Sequence, residues 1–200
     1  MLQIAPVTLS GDTVRLKPLT HSYAADLHEA GQDERIWTYM STVIHTREDA
    51  VRFIDTALKA QAAGVELPFV IIEQATGRVI GSTRFLNISK KDRGLEIGWT
   101  WLAPDVWKTR VNTECKWLLL RHCFEQLGCI RVQLKTDLRN LNSQRAIARI
   151  GGVREGVLRS HMVVRDGYIR DTVMFSILDR EWPEVDQKLR KILGRPERCV

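Results

Sequence analysis

No apolar run in the 200-residue sequence approaches the ~18 to 20 residues that would cross a bilayer. Its opening, "MLQIAPVTLSGDTVRLKPL", has no basic segment followed by an apolar one. A membrane-spanning or exported protein is therefore not expected, and the cytoplasm is the default address. Cysteine is scarce: Cys115, Cys123, Cys129 and Cys199 include no Cys-x-x-Cys pair, which argues for reduced, mostly buried thiols rather than disulfides or zinc. The five histidines are scattered without ligand spacing, so no metal is expected. There is no repeat, no low-complexity linker and no run of five like charges. The net charge of +6 suits an acidic partner, either nucleic acid or a phosphorylated small molecule. The 30 basic residues are interspersed with 24 acidic ones, however, and form no basic stripe interleaved with aromatics, so nucleic acid is the weaker reading.

What is present is an ordinary globular composition, 44% hydrophobic and 27% charged. Its length suits one domain over residues 1–200, with a core from 13 to 183, a C-terminal helix and tail over 181–200, and a free tail only in the last dozen residues. "TVRLKPL" alternates as a strand and "HSYAADLHEAGQ" reads as a short helix. "TREDAVRFIDTALKAQAAG" is a longer helix capped by Thr46, with Val51, Ile54 and Leu58 on one face. The period then shortens: two strands flank the turn "ATGR", and "RGLEIGWTWLAP" adds a third, ended by Pro104.

A helix follows from about Asn112 to Gln126, with Val111, Cys115, Leu118, Leu119 and His122 on its apolar side and Gly128 as its stop. "CIRVQLKTD" is a strand, "NSQRAIARIG" a short helix, and the last two strands form a hairpin about Asp166-Gly167. The order ββ then βαβαββ predicts an α+β fold with a mixed sheet.

The segment "PDVWKTRVNTECK" joins the third meander strand to a helix. The first N–H groups of a helix lack internal partners and, with the macrodipole, attract anions. Lys108, Thr109, Arg110, Asn112 and Thr113 surround that terminus and could grip a pyrophosphate. The plainer reading is a cap by Thr109 or Asn112 with solvated cations, and Glu114 counts against a phosphate because a carboxylate competes for the same positive field.

Several segments in order resemble the GNAT superfamily of N-acyltransferases, specifically the branch like the ribosomal-protein N-terminal acetyltransferases (RimJ/RimL type). They are "VRLKPL", "GRVIGSTRFLNI", "LEIGWTWLAPDVWKTRVNTECK", "LGCIRVQLKTDLRNLNSQRAIARIGGVREGVLR" and "RDTVMFSILDREWP". The resemblance implies the GNAT fold, a mixed, mostly antiparallel sheet of about seven strands with four or five helices. It also implies acetyl-CoA as cosubstrate. In the family, a turn of pattern Gln/Arg-x-x-Gly-x-Gly/Ala holds the coenzyme's pyrophosphate on backbone N–H groups. Here the frame is Trp107-Lys108-Thr109-Arg110-Val111-Asn112, with both glycine positions substituted. Arg110 then either turns its guanidinium onto a phosphate or obstructs the pocket.

The same resemblance assigns Glu96 as general base, Ser143 as proton donor to the departing thiolate, and Asn140 to the pantetheine arm. It assigns the main chain of Trp101, Leu102 and Ala103 to pairing with that arm in a gap where the strand splays from its neighbour. The acceptor side would be shaped by Trp37, Tyr39, Met40, Arg84, His161 and Arg170. Each assignment has an alternative in the residues themselves. Glu96 could be solvent-facing or pair with Arg84 or Arg131, Asn142 or Ser143 could cap the short helix, and Trp37 and Tyr39 could be packing groups.

The reaction implied is direct attack by a primary amine, a protein N-terminus or a small molecule, within a ternary complex. The cysteines lie on or near apolar faces and suggest no acyl-enzyme. An α-amino group, of pKa ~7.7 to 8, would need less help from a base than a lysine at ~10.4. A non-catalytic acyl-CoA sensor and, more distantly, a nucleic-acid module stay open, as does a sheet-edge homodimer.

Overall fold

The computed structural model describes residues 3–196; Cys199 and the end of the expected tail lie outside the described residues. The strands are β1 (Leu9–Ser10), β2 (Val14–Pro18), β3 (Leu67–Glu73), β4 (Val79–Ser89), β5 (Gly94–Leu102), β6 (Arg131–Asp137), β7 (Val153–Val163) and β8 (Ile169–Leu178). The helices are α1 (Ala24–Ala30), α2 (Arg47–Ala62), α3 (Val111–Arg121), α4 (Leu141–Arg149) and α5 (Trp182–Leu193). One sheet runs in the order β1-β2-β3-β4-β5-β6-β8-β7, antiparallel throughout except for the parallel pair β5–β6. The α+β class and the mixed sheet are as expected, and the eighth strand is β1, two residues too short to carry a periodic signal.

Alternation along the strands builds two cores. On one face Phe85, Ile97, Val132, Leu134 and Phe175 pack with Trp117 and Leu118 of α3 and Leu189 of α5. On the other, Trp37, Phe53, Ile54, Val70 and Trp101 pack together under α1 and α2. That second core ends at β5; on β6 the alternate residues Arg131, Gln133 and Lys135 are polar and only partly buried.

Four local expectations change. The buried stripe of α2 is Ala50, Phe53, Ile54 and Ala57, at spacings of three, one and three, while Val51 is exposed. α3 ends at Arg121 and continues as a π-wound turn over His122–Gln126, and it is buried on nearly every side from Thr113 to Leu120. Of the expected tail, residues 190–193 are the last turn of α5, where Leu193 is buried. Glu114 does not wait at the helix end for a dipole or an anion.

The Glu114 carboxylate points into the body of the protein and is 1% exposed. It accepts hydrogen bonds from the Asp12 amide (2.8 Å), the Thr13 amide (2.7 Å) and hydroxyl (2.5 Å), the Val14 amide (2.9 Å) and the Arg195 guanidinium (2.7 Å). Gly11 permits the approach: a Cβ there would lie 2.4 Å from the Glu114 carboxyl carbon. Burial alone would raise the Glu114 pKa, but the Thr13 hydroxyl, the Asp12 amide and Arg195 prevail and hold it at about 2, below the ordinary 4.5.

With the folded value below the unfolded one, this group's stabilisation is complete above pH 4.5 and is lost as pH falls toward 2. Glu114→Gln should lower stability at pH 7 by about 2 to 4 kcal/mol in urea unfolding, since it leaves Arg195 and three amides without their acceptor charge. It should also flatten the stability curve between pH 4.5 and 2.

Candidate active site

β5 and β6 pair at only three positions, Gly94↔Arg131, Leu95↔Val132 and Glu96↔Gln133. Beyond Glu96 both strands continue, to Leu102 and Asp137, without pairing, so the sheet forks. The fork coincides with a bulge in β5, where the register with β4 shifts between Ser82 and Arg84 and Trp99 takes a left-handed backbone (φ 52°).

Glu96 sits at the apex of the fork, 1% exposed. Its Oε2 accepts from Asn87 Nδ2 (2.9 Å) and Gln133 Nε2 (2.8 Å), and Lys135 Nζ lies 3.2 Å from Oε1. Neither of the partners expected for it is used: Arg84 pairs with Glu66 (2.9 Å) and Arg131 with Glu155 (2.5 Å). Gly98 keeps the carboxylate uncrowded, because a Cβ there would lie 3.1 Å from Glu96 Oε1 and 2.9 Å from Leu86 Cδ2. Three donors on a buried carboxylate fix its rotamer.

Under the bulge, Lys116 of α3 donates to Thr100 Oγ1 (2.5 Å), which is 2.7 Å from Thr83 Oγ1. Burial brings the Lys116 pKa down from 10.5 to about 8. Burial likewise pushes the neighbouring Cys115 thiol up to about 11, which keeps it protonated and a poor nucleophile.

The main chain beyond the bulge departs from the expected pairing. The Ala103 amide donates to Ile80 of β4 (2.8 Å) and the Trp101 carbonyl faces Gly81 of β4. The Leu102 carbonyl accepts the Trp107 indole N–H (2.8 Å) instead. The Ala103 carbonyl turns away from β4 as well, accepting the Val106 amide (3.2 Å); the Leu102 carbonyl still has a second lone pair.

The turn into α3 needs no glycine where the resemblance placed one. Arg110 has φ −71° and ψ −16°, and the left-handed residue is Lys108 (φ 62°). The Arg110 guanidinium reaches the Leu193 carbonyl at the end of α5 (3.3 Å) with one of its nitrogens, and the side chain is exposed. The Val111 amide donates to Thr109 Oγ1 (3.3 Å), while the amides of Asn112 and Thr113 have no acceptor among the described residues. Lys108 and Thr109 are exposed beside them, and Arg149 of α4 donates to Thr113 Oγ1 (3.2 Å). A cationic helix terminus with free amides is thus present, and Arg149 belongs to it, a contribution from a distant helix that spacing does not disclose.

On the far side of the fork Asn140 caps α4, its Oδ1 accepting from the Ser143 amide (3.0 Å). The cap is therefore Asn140, not Asn142 or Ser143, and the Ser143 hydroxyl has no other partner among the described residues. The six expected acceptor residues divide. Trp37 is fully buried, bonded to the Gly31 carbonyl (2.8 Å) and tilted against Trp101, so it packs the core. Arg84, 2% exposed, lies between the rings of Phe53 and Trp99. Met40 and Tyr39 are half-buried, Arg139 lying over Tyr39. Arg170 is half-buried, and His161 is exposed on a bulge of β7 beside a shallow hollow of about 910 Å³. Asn87, Gln133 and Lys135 complete the Glu96 cluster and were not singled out from sequence, although the alternation of β6 sets Gln133 and Lys135 on one face.

Lys116→Met should stabilise the protein at pH 7 by about 1 to 3 kcal/mol, because the lysine is bound to a proton more weakly folded than unfolded. Between pH 8 and 10.5 the unfolded chain holds the extra proton, so wild-type stability from this site rises with pH and the variant's advantage shrinks across that window. Arg110→Ala should cost about 1 kcal/mol in thermal unfolding and leave the Kd for coenzyme A within about threefold, measured by calorimetry.

Residues 13–153 match the family model described as an acetyltransferase (GNAT) domain. The chain is 26% identical over 173 residues to the Bacillus subtilis (strain 168) protein named "Uncharacterized N-acetyltransferase YoaA", covering 85% of this chain and 96% of that one. It superposes on a GCN5-related N-acetyltransferase from Brucella melitensis with TM-score 0.88 and 30% identity, covering 94% and 86% of the two chains. The fold is shared with Mycobacterium smegmatis RimJ, solved in complex with CoA-disulfide, at TM-score 0.81 and 24% identity over 97% and 98%. The forked sheet, the helix terminus beside it and these matches together make the chain a member of the GNAT acetyltransferase family, and an acyltransferase.

Proposed function

We propose that the protein is an acetyl-CoA-dependent N-acetyltransferase of RimJ/RimL-like type, acting on a primary amine by direct attack in a ternary complex. The observation that carries this is the fork: β5 and β6 part immediately after Glu96, between the free amides of α3 and the uncommitted hydroxyl of Ser143. The residues fit a coenzyme with a phosphorylated head and a thioester end. The Asn112 and Thr113 amides, with Lys108, Thr109 and Arg149, would hold the pyrophosphate. The Leu102 carbonyl and the side chain of Asn140 would meet the pantetheine arm in the gap.

Bound there, acetyl-CoA supplies an activated acyl thioester. Glu96 takes a proton from the incoming ammonium through a water, since its own side chain is buried, and Ser143 gives one to the departing sulfur. Lys135, Gln133 and Asn87 hold the base in place. The α-amino group of a protein or a small amine is the acceptor this chemistry serves with least demand on the base.

Glu96→Gln should lower kcat by about 10² to 10³ while the KM for acetyl-CoA changes little, in an assay of thiol release with a panel of amines and peptides. Unchanged turnover and an unchanged pH profile would remove Glu96 from the mechanism. Binding of acetyl-CoA without thiol release from any amine would favour an acyl-CoA sensor, a reading that the Trp107 indole on the Leu102 carbonyl supports.

A further inference from the structure

The sheet face that carries Glu96 continues onto β8. The pairs Glu96↔Gln133, Gln133↔Ser176 and Asp137↔Thr172 set Ser176, Thr172 and, two residues before it, Arg170 on that face. Its charges are mostly matched. Glu96 has Lys135, Arg131 has Glu155, Arg84 has Glu66, and Asp137 holds Arg139 by two bonds (3.0 and 2.8 Å). Arg139 is further occupied, its guanidinium lying over the rings of Tyr168 (3.6 Å) and Tyr39 (5.6 Å).

Arg170 is different. It makes no hydrogen bond or ion pair with any described residue, and its Nε is buried without a partner. Thr172, on the same strand face and 0% exposed, also has an unpartnered hydroxyl. Two adjacent polar groups withdrawn from water and left unbonded are costly unless something else meets them. A guanidinium fork beside a hydroxyl suits a planar anion that accepts two bonds at once. Burial lowers the Arg170 pKa, the charges of Asp137 and Glu96 oppose the change, and that of Arg139 adds to it.

We propose that the acceptor is a primary amine that also carries a carboxylate, which Arg170 binds with the Thr172 hydroxyl while Glu96 serves the amine. This rests on the acetyltransferase reading above. The carboxylate can belong to a small amino acid or to an acidic residue next to a peptide N-terminus, and the two sources are separable.

The test compares β-alanine with β-alaninamide, and the peptide amide Ser-Glu-Ala-Ala with Ser-Gln-Ala-Ala, in wild type, Arg170→Gln and Arg170→Lys. Thiol release gives kcat/KM, and calorimetry of each amine against the full chain with coenzyme A present gives binding without turnover. One carboxylate probe should exceed its amide by about tenfold to a hundredfold. The ratio should fall to within about twofold in Arg170→Gln and recover partly in Arg170→Lys. Preference in the β-alanine pair assigns a small amino acid, and preference in the peptide pair an acidic N-terminus. Equal or better use and binding of both amides by wild type overturns the proposal, as does a ratio that survives in Arg170→Gln. Acetyl-CoA failing to bind would sink the acetyltransferase reading instead, and the amine calorimetry would still decide for or against the carboxylate site.

Discussion

A buried carboxylate sets the frame. Glu114 stands in the first turn of α3 and binds three consecutive amides at Asp12, Thr13 and Val14, together with Arg195 from beyond α5. Segments near both ends of the described chain are thus tied to one helix terminus, about 100 and 81 residues away in sequence. Because the carboxylate is turned inward and neutralised there, the outer amides of the same turn are left to face an anion. The positive end of α3 therefore serves two masters on opposite sides, and the division depends on Gly11 giving the carboxylate room.

The two faces of the sheet are covered unequally, and the chemistry follows from that. α3 and α5 close one face with apolar side chains, whereas α1 and α2 cover the other only as far as β5. The remainder of that face carries Gln133, Lys135, Asp137, Arg170 and Thr172, polar groups that a fully covered sheet would not tolerate. Lys116 shows the cost of reaching polar ground from the covered side: its amine passes under β5 to Thr100 and yields its proton more easily for it.

The strand alternation, the capped helix at Thr46 and the Asp166-Gly167 turn were legible in the sequence because each is a local pattern. What escaped depends on contacts across long separations. Nothing within ten residues of Glu114 announces that its partners lie at 12–14 and 195. The bond from Arg110 to Leu193 is hidden in the sequence because Leu193 belongs to a segment that reads as a tail until α5 is seen against Trp117. Gln133 and Lys135 alternate plainly along β6, but their meeting with Glu96 follows from a parallel register that no turn fixes. Trp37 and Tyr39, two residues apart in one loop, differ in fate because only the first reaches Trp101.

The three-position seam between β5 and β6 is the shortest pairing between two long strands in the sheet; its neighbour β6–β8 is paired over seven positions. Glu96 lies on that seam, reaching across it to Gln133 and Lys135 on β6 and back to Asn87 on β4. The carboxylate is thereby a rivet between the two halves of the sheet. In the proposed mechanism each proton taken by Glu96 would weaken its hold on Lys135, which would couple the width of the gap to the charge of the carboxylate.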